Sequence, residues 1–249
     1  MQSILTTIFY QPILNALIWI YDVVPGRDFG VAIIVLTIIV RGILWPFQQT
    51  ALKSQRAMQE IQPKLKALQD QYKDDKAALN KAMVELYARE KVSPFSSCLP
   101  LLVQLPFLIG LYQALRDGLK SVNVELLYNF VANPGTINPV AFGFLDLAKN
   151  SIPLAVLAGV AQFFQTKMLP MNKPPAGAGP GSKDEQRMAM VNRQMTYIMP
   201  AFTVFIGASL PGGLTLYWFF TTLVAVLQQW LFMRKQPLAT TNNQEPISK

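Results

Sequence analysis

Apolar residues are concentrated in five stretches of the chain, separated by polar segments. The first stretch, Phe29–Phe47, contains a single charged side chain, Arg41. At ~1.5 Å of rise per residue, a helix of this length reaches about 28 Å, which is close to the thickness of a bilayer's hydrocarbon core. The other four stretches are Cys98–Leu115, Ile152–Leu169, Met195–Leu210 and Gly213–Met233. The pattern predicts an all-α integral membrane protein with five transmembrane helices.

Residues 1–28, which precede the first span, have a helical period instead of a continuous apolar run. Apolar and polar residues each recur every four positions on roughly opposite sides: Leu5, Phe9, Ile13 and Leu17 against Thr7, Gln11 and Asn15. This period predicts an amphipathic helix that lies in the extracytoplasmic interface. Two alternatives stay open, namely a cleaved anchor and a genuine span that would invert the topology.

Residues 48–97, between the first two spans, are rich in good helix formers. Residues 72–76 (YKDDK) interrupt them, and Asp74 or Asp75 can cap a second helix that runs to about Lys91. Pro63 is placed to start or kink part of the first arm. We predict a helical hairpin with apolar positions packed between its arms: Leu65, Leu68, Leu79, Met83 and Leu86. The hairpin is either a solvated charged loop or a docking element for a partner.

The remaining polar segments complete the predicted organisation around a core at residues 29–233. Residues 172–186 are rich in Pro and Gly and predict a flexible linker. Residues 234–249 are polar and predict a disordered tail. The loop between the second and third spans contains LLYNF and FGFLDL, which are candidates for short interfacial helices. Pro211-Gly212 predicts a tight turn between the last two spans.

The basic residues fix the predicted orientation. The chain carries a net charge of +8, and only 14% of its residues are charged. Seventeen Lys and Arg fall in residues 48–97, 167–194 and 234–249, whereas four fall in the connections on the other side. The positive-inside rule therefore predicts an N-out, C-in membrane protein with five crossings. This placement accounts for the charge, so no specific nucleic-acid binding is expected.

The residue inventory excludes several kinds of chemistry. The chain has no His and a single cysteine, Cys98. Histidine base catalysis, His-containing metal sites and an intramolecular disulfide are therefore excluded. The sequence contains no Gly-rich phosphate loop and no nucleophile–base motif. We expect a protein that is not an enzyme and has no cofactor.

Polar side chains inside the spans collect toward the predicted cytoplasmic half. Arg41 lies four to six residues from that end of its span, roughly 6–9 Å deep at helical rise. Glutamines occupy similar positions on the other spans: Gln104, Gln162, Gln165, Gln228 and Gln229. Buried polar groups need partners or water, so a wet groove open to the cytoplasm is one interpretation. The alternatives are that Arg41 snorkels to the headgroups and that the glutamines bond between helices.

Four segments carry a resemblance to a known family: VRGILWPF, QPKLKALQDQYKDDK, MVELYAREKVSPFSSCLPLLVQLPF and FIGASLPGGLTLYWFFTTLVAVLQQW. In this order they resemble the YidC/Oxa/Alb family of membrane protein insertases, and the match covers about Gly30 to Met233. The residues before the first span predict a short form without a large extracytoplasmic domain. The short tail has three basic residues and puts tail-mediated ribosome docking in doubt.

The resemblance implies a function and a set of site residues. The implied protein inserts nascent membrane proteins and helps them fold, through a hydrophilic groove open to the cytoplasm and the inner leaflet. Arg41 matches the family's groove arginine, and Thr37, Gln104 and Tyr217 match positions near the groove or the substrate. The implied partners are nascent substrates, the lipid bilayer and, as further candidates, the ribosome and the Sec translocon. A small channel or transporter using the same cavity is the alternative function, and an assembly scaffold is a third.

Overall fold

The computed structural model describes residues 6–72, 75–93, 99–118, 124–168 and 183–235. This part of the chain is mostly helical. A π-helical turn, Thr6–Tyr10, leads into the first helix. The helices are α1 (Gln11–Val23), α2 (Phe29–Ile43), α3 (Trp45–Glu60), α4 (Gln62–Gln71), α5 (Lys76–Arg89), α6 (Leu99–Gly118), α7 (Ile152–Met168), α8 (Lys183–Ser209) and α9 (Gly212–Lys235). Strands β1 (Val140–Ala141) and β2 (Leu145–Asp146) form a small antiparallel hairpin. Residues 172–182 of the predicted linker and residues 236–249 of the tail lie outside the described residues. The predicted linker is wrong at residues 183–186, which begin α8, because Lys, Glu and Gln there are good helix formers.

Helices α2, α6, α7, α8 and α9 form a bundle with two distinct ends. At one end, which we call the loop end, the segment 124–151 contacts the start of α2 and of α9. At the other, the hairpin end, α3 continues from α2 toward the α4–α5 hairpin. The largest core cluster lies among α1, α2, α6 and α9, and its fully buried members include Leu14, Leu17, Phe29, Ile33, Leu111 and Leu115.

The first predicted span, Phe29–Phe47, is broken in the structure. Helix α2 ends at Ile43, and α3 starts at Trp45 with a bend of 64° between them. Pro46 explains the break, because its ring has no N–H to donate and clashes with the carbonyl four residues earlier. The apolar pattern alone did not predict this bend. Gly42 lies near the end of α2, and a Cβ added there would have no neighbouring atom within 4 Å.

The other predicted spans correspond to helices with somewhat different bounds. Helix α6 runs three residues further than predicted, and α8 begins at Lys183, twelve residues before the predicted start. Within the described residues, a single helix is both long enough and apolar enough to cross a bilayer, namely Gly212–Arg234. Helices α2 and α3 pass the same test only when the bent pair is treated as one continuous span. The segment Thr196–Ser209 is apolar but shorter than a full span. The prediction of five crossings therefore stays a prediction.

Helix α1 is part of the core instead of a separate surface helix. Asn15 is buried; its amide nitrogen donates to the carbonyl of Leu126 over 2.8 Å, and its amide oxygen accepts from Tyr128 N over 2.6 Å. Gln11 Nε2 also donates to the carbonyl of Leu126. The polar side of α1, which carries Gln11 and Asn15, thus binds the backbone of the loop. Trp19 of the same helix is half exposed. The period predicted the helix correctly, but its polar side is covered by protein.

The loop end is closed by backbone bonds between distant segments. Asp28 caps α2 by accepting from Gly30 N and Val31 N, and its second carboxylate oxygen accepts from Phe142 N. Gly212 N donates to the carbonyl of Lys149 over 2.8 Å, which ties the start of α9 to the loop. The FGFLDL segment forms a turn and strand β2, so its predicted interfacial helix is wrong. Bulky residues on both sides of the paired strands favour this extended pairing.

The predicted cytoplasmic hairpin is present, with α4 and α5 packed against each other. Asp75 caps α5 by accepting from Ala77 N and Ala78 N, both over 3.0 Å, as its position predicted. Helix α4 begins at Gln62, with Pro63 in its first turn. Lys64 Nζ and Glu90 Oε1 form an ion pair of 2.7 Å between the arms. The five predicted contact positions are half-buried, and α5 has no fully buried residue, so the hairpin is a thin two-helix element.

Helices α7 and α8 approach each other closely through small residues. A Cβ at Gly159 would collide with the Val204 side chain and lie 3.1 Å from the carbonyl oxygen of Pro200. Ala155, one turn earlier on α7, contacts the glycine at position 207 of α8 in the same way. Small residues four apart allow this kind of close helix packing inside membranes.

This packing predicts that Gly159→Ala destabilises the bundle. The added methyl overpacks the α7–α8 contact, and we expect a loss of about 1–3 kcal/mol in the free energy of unfolding. Gly42→Ala is the matched control, because nothing lies within 4 Å of its added Cβ and alanine favours helix. Thermal unfolding in detergent measures both variants. Equal melting temperatures for the two variants would contradict the close contact.

Candidate functional site

Arg41 lies at the last turn of α2, next to the bend. Its Nη1 donates to Gln48 Oε1 over 2.8 Å, so the side chain bridges from α2 to α3 across the break at Leu44. The Arg41 side chain is half-buried, and its Nε is buried without a hydrogen-bond partner among the described residues. A buried N–H without a partner is costly, so this nitrogen is available to water or to an incoming acceptor. The prediction that Arg41 has a polar environment is consistent with this geometry.

Gln104 and Tyr217 connect α6 to α9 beside Arg41. Gln104 Nε2 donates to the hydroxyl of Tyr217, which is itself buried. Tyr217 is also close enough to Arg41 for the two side chains to interact electrostatically. Three of the residues predicted from the sequence, on three helices, therefore lie together. A charged group, an amide and a hydroxyl at one place can hold water and bind polar parts of a peptide.

The other three predicted site residues lie elsewhere or are inaccessible. Thr37 is one turn before Arg41 on α2, but it is fully buried and its hydroxyl donates to the carbonyl of Ile33 over 2.6 Å. Gln162 and Gln165 are half-buried on α7, which packs against α8 and α9. In the described part of the chain, no hydrogen bond joins either glutamine to the cluster of Arg41, Gln104 and Tyr217.

Other polar groups near the bend were not among the predicted site residues. Gln228 on α9 is buried, and its Nε2 donates weakly to the carbonyl of Trp45 over 3.4 Å. Gln229 is also buried, and its Oε1 has no partner among the described residues. Gln48 was assigned to the start of the hairpin, because the apolar pattern did not reveal the bend that brings it back to Arg41. The i+7 spacing from Arg41 to Gln48, with Pro46 between them, is the signal that could have found it.

The outward surface of the bundle is apolar on several helices. Large side chains that are two-fifths or more exposed include Ile38 and Ile43 on α2, Ile109 on α6, Val156 and Val160 on α7, Phe202 and Phe205 on α8, and Leu227 and Trp230 on α9. So many exposed large apolar side chains are unusual for a soluble monomer and are typical of a protein with an apolar surrounding. The polar cluster thus lies within a bundle whose exterior suits lipid.

A comparison with models of known protein families shows to which family this chain belongs. Residues 19–240 match the model of the 60Kd inner membrane protein family, which is the YidC/Oxa family. The chain belongs to this family. The match covers all five predicted spans, the hairpin and the cluster of Arg41, Gln104 and Tyr217. The resemblance identified from the sequence motifs is therefore confirmed.

Three relatives of this chain carry the name membrane protein insertase YidC. One from Lawsonia intracellularis is 32% identical over 229 residues, which are 92% of this chain and 39% of the relative. One from Fusobacterium nucleatum is 33% identical over 208 residues, which are 84% of this chain and 87% of the relative. One from Pelobacter propionicus is 34% identical over 224 residues, which are 90% of this chain and 38% of the relative. The chain spans less than half of two of these relatives and most of the third.

Proposed function

We propose that this chain is a membrane protein insertase that transfers nascent membrane proteins from the cytoplasm into the bilayer and helps them fold. The names of its relatives and its family membership support this function. The work is non-enzymatic and needs no cofactor. Its partners are nascent substrates and lipid, with the ribosome and the Sec translocon as further candidates. The bacterial plasma membrane is the proposed location.

The observation that carries the proposal is the polar cluster around Arg41 within an apolar exterior. Arg41 binds Gln48, Gln104 binds Tyr217, and Tyr217 interacts electrostatically with Arg41. Ile38 and Ile43, on the same helix as Arg41, are exposed. The unpartnered nitrogen of Arg41 and oxygen of Gln229 are positions that water can satisfy. A hydrophilic groove open to the cytoplasm and the inner leaflet fits these features. Gln162 and Gln165 are proposed to line its rim on α7, and Thr37 to support its floor.

The proposed topology has five crossings, with the loop end outside and the hairpin end in the cytoplasm. Two basic side chains at the hairpin end lie over aromatic rings: Lys167 is 5.7 Å from the centre of the Phe163 ring, and Arg234 is 5.4 Å from that of Trp230. Basic and aromatic residues together are typical of a membrane–water boundary. The 64° bend after α2 then lies near the inner surface, where α3 leaves the bilayer.

The proposed mechanism follows from the position of these groups. A short polar flank of a nascent helix must cross hydrocarbon, and the groove shortens that distance by hydrating the inner half of the bilayer. Arg41 attracts acidic residues of the flank more strongly than it would in bulk water. The apolar part of the substrate moves along exposed aliphatic side chains into lipid, driven by hydrophobic transfer at ~25 cal/mol per Å². Membrane potential assists acidic flanks at about 2.3 kcal/mol per charge per 100 mV.

The loop end supports the insertase over the alternative channel or transporter. A through-path needs polar groups along its whole length, but the core between α1, α2 and α6 near that end is apolar. Leu17, Ile33 and Leu115 are buried there, and the backbone bonds of Asn15 and Asp28 close the loop over them. Polarity on one side alone fits a groove that releases its substrate sideways into lipid.

Thiol reactivity tests the groove directly. On a Cys98→Ser background, cysteines at Gln104 and Gln162 should react with a membrane-impermeant, water-soluble maleimide in reconstituted vesicles. A cysteine at Ile38 should not react, because that exposed side chain faces lipid in the proposed arrangement. Samples denatured in SDS, which dissolves the vesicles, give the full extent of labelling. Equal inertness at Gln104, Gln162 and Ile38 would mean dry packing and no groove.

Sided labelling tests the topology with residues that are exposed in the structure. Cysteines at Lys81 and Lys167 should label from the cytoplasmic side of inverted vesicles, whereas a cysteine at Lys149 should label from the outer side of intact cells. The expectation follows from seventeen basic residues on one side against four on the other. Labelling of Lys81 from outside would overturn the N-out, five-crossing arrangement.

A further inference from the structure

The loop 124–151, which contains the β1–β2 hairpin, holds two aromatic side chains away from the protein. Phe144 is 82% exposed and Phe130, in the same loop, is 75% exposed, which makes them the most exposed large apolar side chains among the described residues. Neither belongs to the Arg41 cluster or to the exposed faces of the bundle helices. Exposed phenylalanines in a polar loop need an explanation, because water contact is unfavourable for them.

The positions of the two rings are fixed by the backbone. Phe142 and Gly143 both have positive φ, and Phe144 N donates to the carbonyl of Ala141 over 3.1 Å to close the turn. Phe142 accepts this unfavourable backbone conformation because its ring covers Gly30, where a Cβ would lie 3.0 Å from the ring. Fully buried Ala141 and Leu147 flank the turn, so Phe144 stands on a fixed base. Phe130 is held in a comparable way, between Tyr128, whose N–H binds Asn15, and buried Val131.

The hairpin is attached at the level where the apolar exterior of the bundle ends. Asp28, at the start of α2, accepts from Phe142 N, and Asn150 Nδ2 donates to the carbonyl of Ala208 in the last turn of α8. The neighbouring helix ends expose Ile152, which is 65% exposed, and Phe205, which is 71% exposed. Exposed apolar side chains therefore occur both on the loop and on the helix ends to which the loop is bonded.

The charges of the hairpin suit a position at the headgroup boundary. Asp146, at the end of β2, and Lys149, three residues later, form an ion pair of 2.9 Å. The hydrogen bond from Lys149 lowers the pKa of the Asp146 carboxyl below its usual value. The hairpin brings aromatic rings and a neutralised ion pair to the same place, and interfacial regions accommodate both.

We infer that Phe130 and Phe144 are an interfacial anchor that inserts into the outer leaflet and fixes the loop end of the bundle against the lipid headgroups. The partner is the lipid bilayer itself, at the boundary between headgroups and acyl chains. This inference rests on the membrane topology given under Proposed function. The anchor holds the closed outer end of the bundle at one depth, while the inner half carries the polar cluster.

Collision accessibility of nitroxide probes tests the anchor. On the Cys98→Ser background, single labels are placed at Phe130 and Phe144, and the protein is reconstituted in vesicles of phosphatidylethanolamine and phosphatidylglycerol. For both probes, the ratio of the collision rate with oxygen to that with a water-soluble nickel chelate should be several-fold higher than for a label at Val84. Val84 is the aqueous control, since it is exposed on α5. A label at Val160 on α7 is the control for lipid contact inside the bundle.

The control labels separate the possible outcomes. If Val160 reports lipid while Phe130 and Phe144 resemble Val84, the anchor is absent and the proposed bundle survives. If Val160 also resembles Val84, the membrane bundle and the anchor are both wrong. If the Phe144 label is shielded from both reagents and its spectrum shows dipolar broadening, a second copy of the chain covers the hairpin, which overturns lipid as the partner.

Discussion

Replacing the α4–α5 hairpin should abolish insertion while leaving the bundle folded. The structure sets the limits of the replacement, because α3 contributes to the candidate site: Gln48 binds Arg41, and the carbonyl of Trp45 accepts from Gln228. Residues up to Ile61, which is buried, should therefore stay. The ion pair between Lys64 and Glu90 brings the two ends of the hairpin close together, so a short Gly/Ser linker can replace residues 62–91.

We expect this deletion to reduce insertion of a short single-span substrate to the level of protein-free vesicles. The physical reason is that the hairpin has almost no buried side chains, so it is a poor structural support and a suitable docking surface for a nascent chain or another partner. Insertion into reconstituted vesicles is measured by protease protection, together with the melting temperature of the variant. Lys53→Gln, an exposed change on α3 outside the replaced residues, is the control and should leave both quantities unchanged. Normal insertion by a deletion variant with a wild-type melting temperature would show that the hairpin is dispensable.

The elements of the fold could be predicted from the sequence wherever the determining residues are local. A cap at Asp74 or Asp75 was predicted because such a side chain reaches N–H groups two and three residues later, and the structure shows Asp75 in this role. The bend after α2 was missed because Pro46 lies inside an apolar run that reads as one span. The burial of the polar side of α1 could not be predicted either, because the partners of Asn15 are more than a hundred residues away in sequence. Local periodicity predicts that a helix forms but does not identify what covers it.

The candidate site was predictable to a similar extent. Arg41 stands out because it is the one charge in an apolar stretch, and Gln104 because it is a polar residue inside a span. Tyr217 has no such signal, because an aromatic residue in an apolar helix is ordinary core, and the family resemblance alone indicated it. Gln228 was noted among the inner-half glutamines, but its contact with the Trp45 carbonyl depends on the bend and could not be predicted. Gln48 reaches Arg41 only because of the bend, so it was not distinguishable from other polar residues near helix ends. Gln162 and Gln165 show that polarity at the right depth does not by itself place a residue with the cluster.

Arg41→Gln should slow the insertion of substrates with acidic flanks by about tenfold. A charge pair ~5 Å apart in a partly hydrated site is worth roughly 1–2 kcal/mol, which corresponds to this factor in rate. Arg41→Lys keeps the charge and loses the planar guanidinium, so it should stay close to wild type with these substrates. Substrates with neutral flanks should differ little among the three proteins. Initial insertion rates into vesicles, measured with a matched pair of substrates that differ only in flank charge, give the comparison.

Gln48→Ala is the control that separates charge from local structure. Gln48 accepts a hydrogen bond from Arg41 across the bend, so its removal disturbs the same contact without removing the charge. If attraction is the role of Arg41, this variant keeps the preference for acidic flanks, because the freed guanidinium can still bind a carboxylate. Raised salt should narrow the difference between wild type and Arg41→Gln only modestly, since a half-buried charge is weakly screened. If Arg41→Gln inserts acidic-flank substrates as fast as wild type does, attraction is wrong, and Arg41 at most keeps water in the groove.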